Sequence, residues 1–231
     1  MLARLLTDLL FPRSCELCGA RLTSPEADLA CASCAPHAEW IADPACPRCG
    51  AELAPGGCVE CRGRGFPFRG AVAAGRYAGF VRELVHRFKF GGRRDLARPL
   101  ARRIAARIAA APWGASVGAV VPVPMRRLKI LFERGYNPAE LLAGRIAREL
   151  ERPMRRWLAQ VRATPSQTSL TGEERRTNPR GAYAARRRGA PRGRTVLLVD
   201  DVLTTGATAG ECARVLKDAG AEAVYLAVIG R

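Results

Sequence analysis

The chain is predicted to be an α/β protein with a mostly parallel sheet flanked by helices, preceded by a small metal-stapled module. Three observations carry that expectation. Residues 196–208 read VLLVDDVLTTGAT, an apolar strand that ends in two carboxylates and a small-residue turn. Eight of the nine cysteines fall before residue 62, as four C-x-x-C pairs. The rest of the chain is Ala-, Arg- and Leu-rich and carries both strand and helix patterns, the sign of strands joined by crossover helices.

Residues 195–199 are rich in β-branched side chains and carry no charge, which suits a central parallel strand covered on both faces. Asp200 and Asp201 then fall at its C-terminal end, the edge where ligands collect in open α/β sheets. Two adjacent carboxylates repel each other unless a cation or sugar hydroxyls use them; the alternative is that they merely close the strand and cap a turn. Residues 204–208 lead into a predicted helix over 209–219, with Val215 and Leu216 for the core. Free N–H groups at that helix start can cradle a phosphate, helped by hydroxyls and the helix dipole. Gly206 lets the backbone approach an anion without a Cβ in the way. A nucleotide P-loop is excluded, because GxxxxGK[ST] is absent.

The string resembles the phosphoribosyl pyrophosphate (PRPP) signature of type I phosphoribosyltransferases. That resemblance implies ribose hydroxyls at Asp200 and Asp201. It implies the 5-phosphate at Val202, Leu203, Thr204, Thr205, Gly206, Ala207 and Thr208.

At 231 residues and 48% hydrophobic, length alone allows one domain or two. The cysteines divide the chain. Cys15/Cys18, Cys31/Cys34, Cys46/Cys49 and Cys58/Cys61 each offer two thiolates, and two pairs complete a closed structural zinc site. Two zinc ions are therefore expected. Gly19 and Gly50 follow their pairs as knuckle turns require. Sequential pairing gives two small ribbons; an interleaved cross-brace is the lesser alternative, and spacing alone does not decide between them. Disulfides are the competing use of these cysteines. Residues 2–11 are short, interrupted by Thr7 and Asp8, and lack a small-residue cleavage site before Pro12, so no secretory segment supports it. Reduced thiols and a cytoplasmic location are expected. Leu2, Leu5, Leu6, Leu9 and Leu10 have amphipathic helical spacing, and no later stretch approaches a membrane span. Cys212 stands apart and reads as a small core residue.

Between the modules, residues 62–68 read as a linker. A first strand is predicted over 70–77 and an amphipathic helix over 80–90. Lys89, one of only three lysines, can reach a diphosphate as a compact charge or can simply end a helix in solvent. Leu96, Leu100, Ile104 and Ile108 recur every fourth residue and predict a helix over 95–111. A strand follows at 117–121. After Pro122, Val123 and Pro124 come Arg126, Arg127, Lys129 and Arg134, four cations at a strand edge suited to pyrophosphate. Asn137 then caps a helix with Pro138 at its first position.

Taken together, LLFPRSCELCG, CPRCG, FKFGGR, VPVP, ERGYNPAELLA, QTSLTGEERRTNPRGAY and LLVDDVLTTGAT resemble the ComF family of competence-associated proteins. The resemblance covers nearly the whole chain. It implies a type I phosphoribosyltransferase fold over 66–231 behind an N-terminal helix and double zinc ribbon over 1–65. It also implies PRPP bound with Mg²⁺, and pyrophosphate held by Lys89, Pro124, Arg126, Arg127 and Arg134. Residues 162–183, rich in proline and glycine with little apolar periodicity, are the expected hood, with Gln167, Arg175, Arg176 and Asn178 closing on the ligand. No general acid or base is assignable, and the acceptor is open.

The net charge is +17, and residues 151–194 hold twelve arginines against three glutamates. Such a surface fits an anionic polymer, single-stranded DNA before duplex because no duplex-reading motif is present. Trp157 and Tyr183 are the only candidates in that stretch for stacking bases. Two classes of function follow: a phosphoribosyltransferase, or a non-catalytic PRPP-responsive protein handling single-stranded DNA with competence machinery such as a helicase. A purine-salvage enzyme is a third, weaker fit to the hood and zinc module.

Overall fold

Four uncharged apolar runs form one sheet, and all of them pair in parallel. They are β1 (Gly70–Gly75), β2 (Ala119–Pro122), β5 (Thr195–Val199) and β6 (Ala223–Gly230), in the order β1-β6-β5-β2. Nearly every residue of these strands is buried, as a parallel sheet covered on both faces requires. The structure, a computed structural model, describes residues 13–22, 29–61, 64–126, 128, 130–131, 135–163, 179–186 and 191–231. The expected N-terminal helix over 2–11 lies outside them. No helix among the described residues is long and apolar enough to cross a membrane.

β5 has its expected bounds. β6 is an addition to the expected strands, and it occupies a central place between β1 and β5. Alternate residues of the sheet face two cores. On one side Val72, Val120, Leu197 and Ile229 meet α1 (Gly79–Phe90), α2 (Ala97–Ala110) and α3 (Pro138–Glu149). On the other, Ala73, Val121, Leu198 and Val228 meet α4 (Ala207–Asp218) and the short antiparallel pair β3 (Leu158–Gln160) and β4 (Tyr183–Ala185). Helix α2 begins after a 3-10 turn at Arg94–Leu96, where the sequence pattern had predicted one continuous helix.

The cysteine-rich segment wraps the free edge of β1. Trp40 bridges antiparallel to Gly75, Ile41 N–H donates to Ala74 at 3.1 Å, and Arg76 N–H donates to Glu39 at 3.0 Å. This backbone pairing blunts an otherwise open edge. It also ends β1 at Gly75 instead of 77, because Arg76 turns its N–H away to Glu39 and Tyr77 donates to the Arg231 carbonyl. Gly50 meets the same strand so closely that a Cβ there would lie 2.9 Å from Ala73 N, and its φ of +72° would itself disfavour a side chain.

The described part of the expected linker is not loose. Phe68 is buried in the α4-side core, and Phe66 stacks on it with ring centroids 4.7 Å apart. Apolar rings need burial more than a connector needs freedom, so Phe66 and Phe68 pack onto the α4-side core. Residues 62–63 lie outside the described set.

Candidate functional site

Parallel pairing puts the C-terminal ends of all four strands at one edge, and the chemistry gathers there. After Val199 the chain keeps contact with β6: Asp200 N–H donates to Ala227 at 3.1 Å, Ile229 N–H to Asp201 at 2.9 Å, and Leu203 N–H to Gly230 at 2.9 Å. The acidic pair is therefore held on the sheet edge. Asp200 Oδ1 accepts the N–H of Asp201 at 2.9 Å. Lys89 Nζ lies 2.7 Å from Asp201 Oδ1, both side chains being largely buried, so one of the two carboxylates has its charge compensated within the protein.

The turn behind the acids has the geometry of an anion cradle. Gly206 is in the left-handed region at φ +78° and is itself the N-cap of α4, which starts two residues before the expected 209. A Cβ on Gly206 would also lie 2.7 Å from Phe66 Cε1, so glycine is required twice over. Thr205 Oγ1 accepts the Ala207 N–H at 3.4 Å, while Thr204 stands exposed and Thr208 borders the core. A cavity of about 640 Å³ opens beside the turn, lined by Arg64, Phe66, Arg180, Thr205, Gly206 and Glu211.

Several contacts fix Lys89. The Tyr136 hydroxyl donates to the Phe88 carbonyl, and Arg94 Nη2 donates to Gly135 at 3.2 Å, so the GYNP and FKFGGR segments brace each other. On the outer side Glu16, between the first two cysteines, takes Arg93 Nη2 at 2.6 Å and Arg87 Nη1 at 3.3 Å. Those arginines flank Lys89 on both sides.

Pro124 and Arg126 follow β2 directly. Val123 N–H donates to Val199 at 2.9 Å, which sets Pro124 beside the start of the acidic pair, and Arg126 N–H donates to Gln160 Oε1 at 3.1 Å. Asn137 caps α3 by accepting from Ala139 N at 3.1 Å, and its Nδ2 donates to Val123 at 3.1 Å, tying the cap to this loop. Arg127 and Arg134 lie outside the described residues, as do the hood candidates Gln167, Arg175, Arg176 and Asn178. What is described of 162–183 ends on β4.

Tyr183 is a correction. It is buried, as is Trp157, so neither ring is free to stack on bases. Burial, then the neighbours Cys212 and Asp200, instead push the Tyr183 phenol well above the ordinary value and keep it neutral, with the Thr208 side chain opposing the rise. Glu211 was also missed. Its carboxylate accepts Gly181 N–H at 2.8 Å and pairs with Arg214 at 2.7 Å, anchoring the base of the expected hood to α4. Arg231 was missed as well, since only the fold carries it to the turn: Nη1 donates to Leu203 at 3.0 Å and Thr204 at 3.1 Å. Cys212 is fully buried, as a core residue should be.

The eight remaining cysteines form two clusters, Cys15/Cys18/Cys31/Cys34 and Cys46/Cys49/Cys58/Cys61, within which the sulfurs lie no more than 4.8 Å apart. The pairing is sequential, not cross-braced. Sulfur separations of 3.8 Å (Cys18 to Cys31), 3.6 Å (Cys46 to Cys61) and 3.5 Å (Cys49 to Cys58) match the roughly 3.8 Å of a tetrahedral zinc with ~2.3 Å bonds. Burial raises the Cys15 thiol, but backbone N–H groups of Cys18, Cys31 and Leu17 outweigh it and lower the pKa to about 6, as a thiolate ligand needs. His37 is exposed and belongs to neither cluster.

A family model described as "Double zinc ribbon domain" matches residues 6–65, and one described as "Phosphoribosyl transferase domain" matches residues 137–230. Fold, clusters and matches define the class: a double zinc ribbon joined to a phosphoribosyltransferase-fold domain. Competence protein F of Haemophilus influenzae is 30% identical over 191 residues, covering 79% of this chain and 82% of that protein. The DNA utilization protein YhgH of Escherichia coli K12 is 29% identical over 195 residues, 78% of this chain and 81% of that one. The chain belongs to the competence protein F family. Among solved structures, the glutamine phosphoribosylpyrophosphate amidotransferase of B. subtilis superposes with a TM-score of 0.40 at 19% identity, over 62% of this chain and 30% of that one.

Proposed function

We propose that the chain binds PRPP with Mg²⁺ at the sheet edge, in a competence-related role and as a phosphoribosyltransferase whose acceptor is open. The observation that carries this reading is the acidic pair held on the edge of β6 with Lys89 against Asp201 and the left-handed Gly206 turn beside it. Asp200 and Asp201 take the ribose hydroxyls, directly or through metal-bound water. Residues 202–208 take the 5-phosphate. Lys89, Pro124 and Arg126, with Arg127 and Arg134, take the pyrophosphate, and the hood over about 162–183 closes with Gln167, Arg175, Arg176 and Asn178.

The donor set suits Mg²⁺, which prefers a carboxylate together with substrate phosphates. The ion would neutralise the leaving pyrophosphate. As pyrophosphate leaves C1, positive charge grows on the sugar, and the chain's contribution is positioning and electrostatic stabilisation. The two clusters hold structural Zn²⁺ in a chain divided at about 65/66. A cytoplasmic setting follows from reduced thiols of this kind.

Calorimetry of zinc-replete protein with PRPP and Mg²⁺ tests the site. Heat from the wild type that disappears in Asp200→Asn/Asp201→Asn is expected, with pyrophosphate release once an acceptor is supplied; no heat from the wild type sinks the reading. A second reading, PRPP-responsive handling of single-stranded DNA without turnover, is favoured by the exposed Arg155, Arg156, Arg162 and Arg186 and the net charge of +17. Its affinity for an oligonucleotide should fall steeply with salt and change when PRPP is added.

A further inference from the structure

Arg231 joins two parts of the molecule that the sequence keeps far apart. Its guanidinium is almost entirely buried, with a side-chain exposure of 4%. On one side Nη1 grips the carbonyls of Leu203 and Thr204, at the start of the proposed 5-phosphate turn. On the other, Nη2 faces Glu60 between the last two cysteines, 3.5 Å from its carbonyl and 3.6 Å from its carboxylate. Burial raises the Cys49 thiol pKa, and the neighbouring guanidinium opposes that rise. Nε is buried without an acceptor, so the group is held here by its other contacts.

A buried guanidinium needs an anion. Four thiolates around one Zn²⁺ carry a net charge of about −2, and the second cluster is the concentrated negative charge on that side. The consequence at the turn is geometric. In a trans peptide the C=O and the next N–H point in opposite directions, so holding the Leu203 and Thr204 carbonyls aims the N–H groups of Thr204 and Thr205 away from Arg231. Those are the donors an anion cradle uses.

We propose that Arg231 is a positioning residue that couples the second cluster to the phosphate turn, so that metal on Cys46, Cys49, Cys58 and Cys61 and a sugar phosphate at residues 202–208 strengthen each other's binding. The coupling rests on the PRPP reading above. By linkage it is reciprocal. The first cluster has no part in it and is an internal control.

The test compares wild type, R231M and R231K, each zinc-replete, by PRPP calorimetry with Mg²⁺ and by zinc transfer to a chromogenic chelator. In R231M, PRPP affinity falls on the order of tenfold and one of two zinc equivalents leaves on the order of tenfold faster, as for other residues supporting metal ligands. Saturating PRPP slows loss of that same equivalent in the wild type and not in R231M. R231K keeps the charge without the planar fork, so it restores zinc retention more than PRPP affinity. Wild-type heat beside an R231M unchanged in affinity and release overturns the coupling alone; a wild type silent to PRPP overturns the underlying reading and the coupling with it. Should R231M fail to fold, wild-type zinc release indifferent to saturating PRPP overturns the coupling.

Discussion

Lys89 in the last turn of α1 and Asp201 after β5 meet at 2.7 Å, across the edge where all four strands end. The pair is partly buried, so it is screened less than a surface ion pair and desolvated less than a core one. Each partner belongs to a different motif, FKFGGR and VDDVLTTGAT, and the contact explains how the acidic pair is tolerated at the end of a buried strand.

A double-mutant cycle of Lys89→Met and Asp201→Asn should return a coupling of about 1–2 kcal/mol in urea unfolding, between the values for exposed and buried pairs. Lys89→Met alone leaves the Asp201 carboxylate without this cation, beside the Asp200 carboxylate, and is expected to be the more destabilising single change. Equal, additive losses would mean the contact contributes nothing.

Gly206→Ala should cost roughly 1–2 kcal/mol from the left-handed backbone alone, with a further loss from the Phe66 contact. Combining it with Phe66→Ala should relieve only the second part. Thermal unfolding of the two single variants and the double variant separates them.

The clusters differ in burial. Cys46 and Cys49 share the core with β1 and α4, whereas Cys18 is exposed and Cys31 and Cys34 are half-buried. Cys46→Ser should therefore lower the melting temperature more than Cys18→Ser, by a gap on the order of 5 °C. A strong chelator should release zinc from the first cluster before the second.

Glu211 is held below the usual carboxylate range, first by Arg214 and also by the Gly181 N–H, against the opposing effect of burial. A depressed folded pKa contributes stability that is full above the unfolded value of about 4.3 and is lost as pH falls through the lower folded one. Glu211→Gln keeps an acceptor for Gly181 but loses the charge. Because Arg214 is half exposed, the expected cost at pH 7 is only about 1 kcal/mol, and the two proteins should converge in urea stability below pH 4.

Local chemistry was legible from residues alone. The uncharged run ending at Val199, the glycine turn at Gly206 and the Asn137-Pro138 cap each depend on a few neighbours in sequence, and the structure has them with bounds shifted by two residues or fewer. Cysteine spacing likewise named the ligands, because two thiols three residues apart already form half a site.

Tertiary structure decided which parts meet. Sequential zinc pairing, the central place of β6, the burial of Tyr183 and Trp157, and the contacts of Lys89 with Asp201 and Arg231 with Leu203 all join segments distant along the chain. Periodicity states which face of an element is apolar but not what will cover it. That choice is made only when the sheet closes and each buried charge must find a partner.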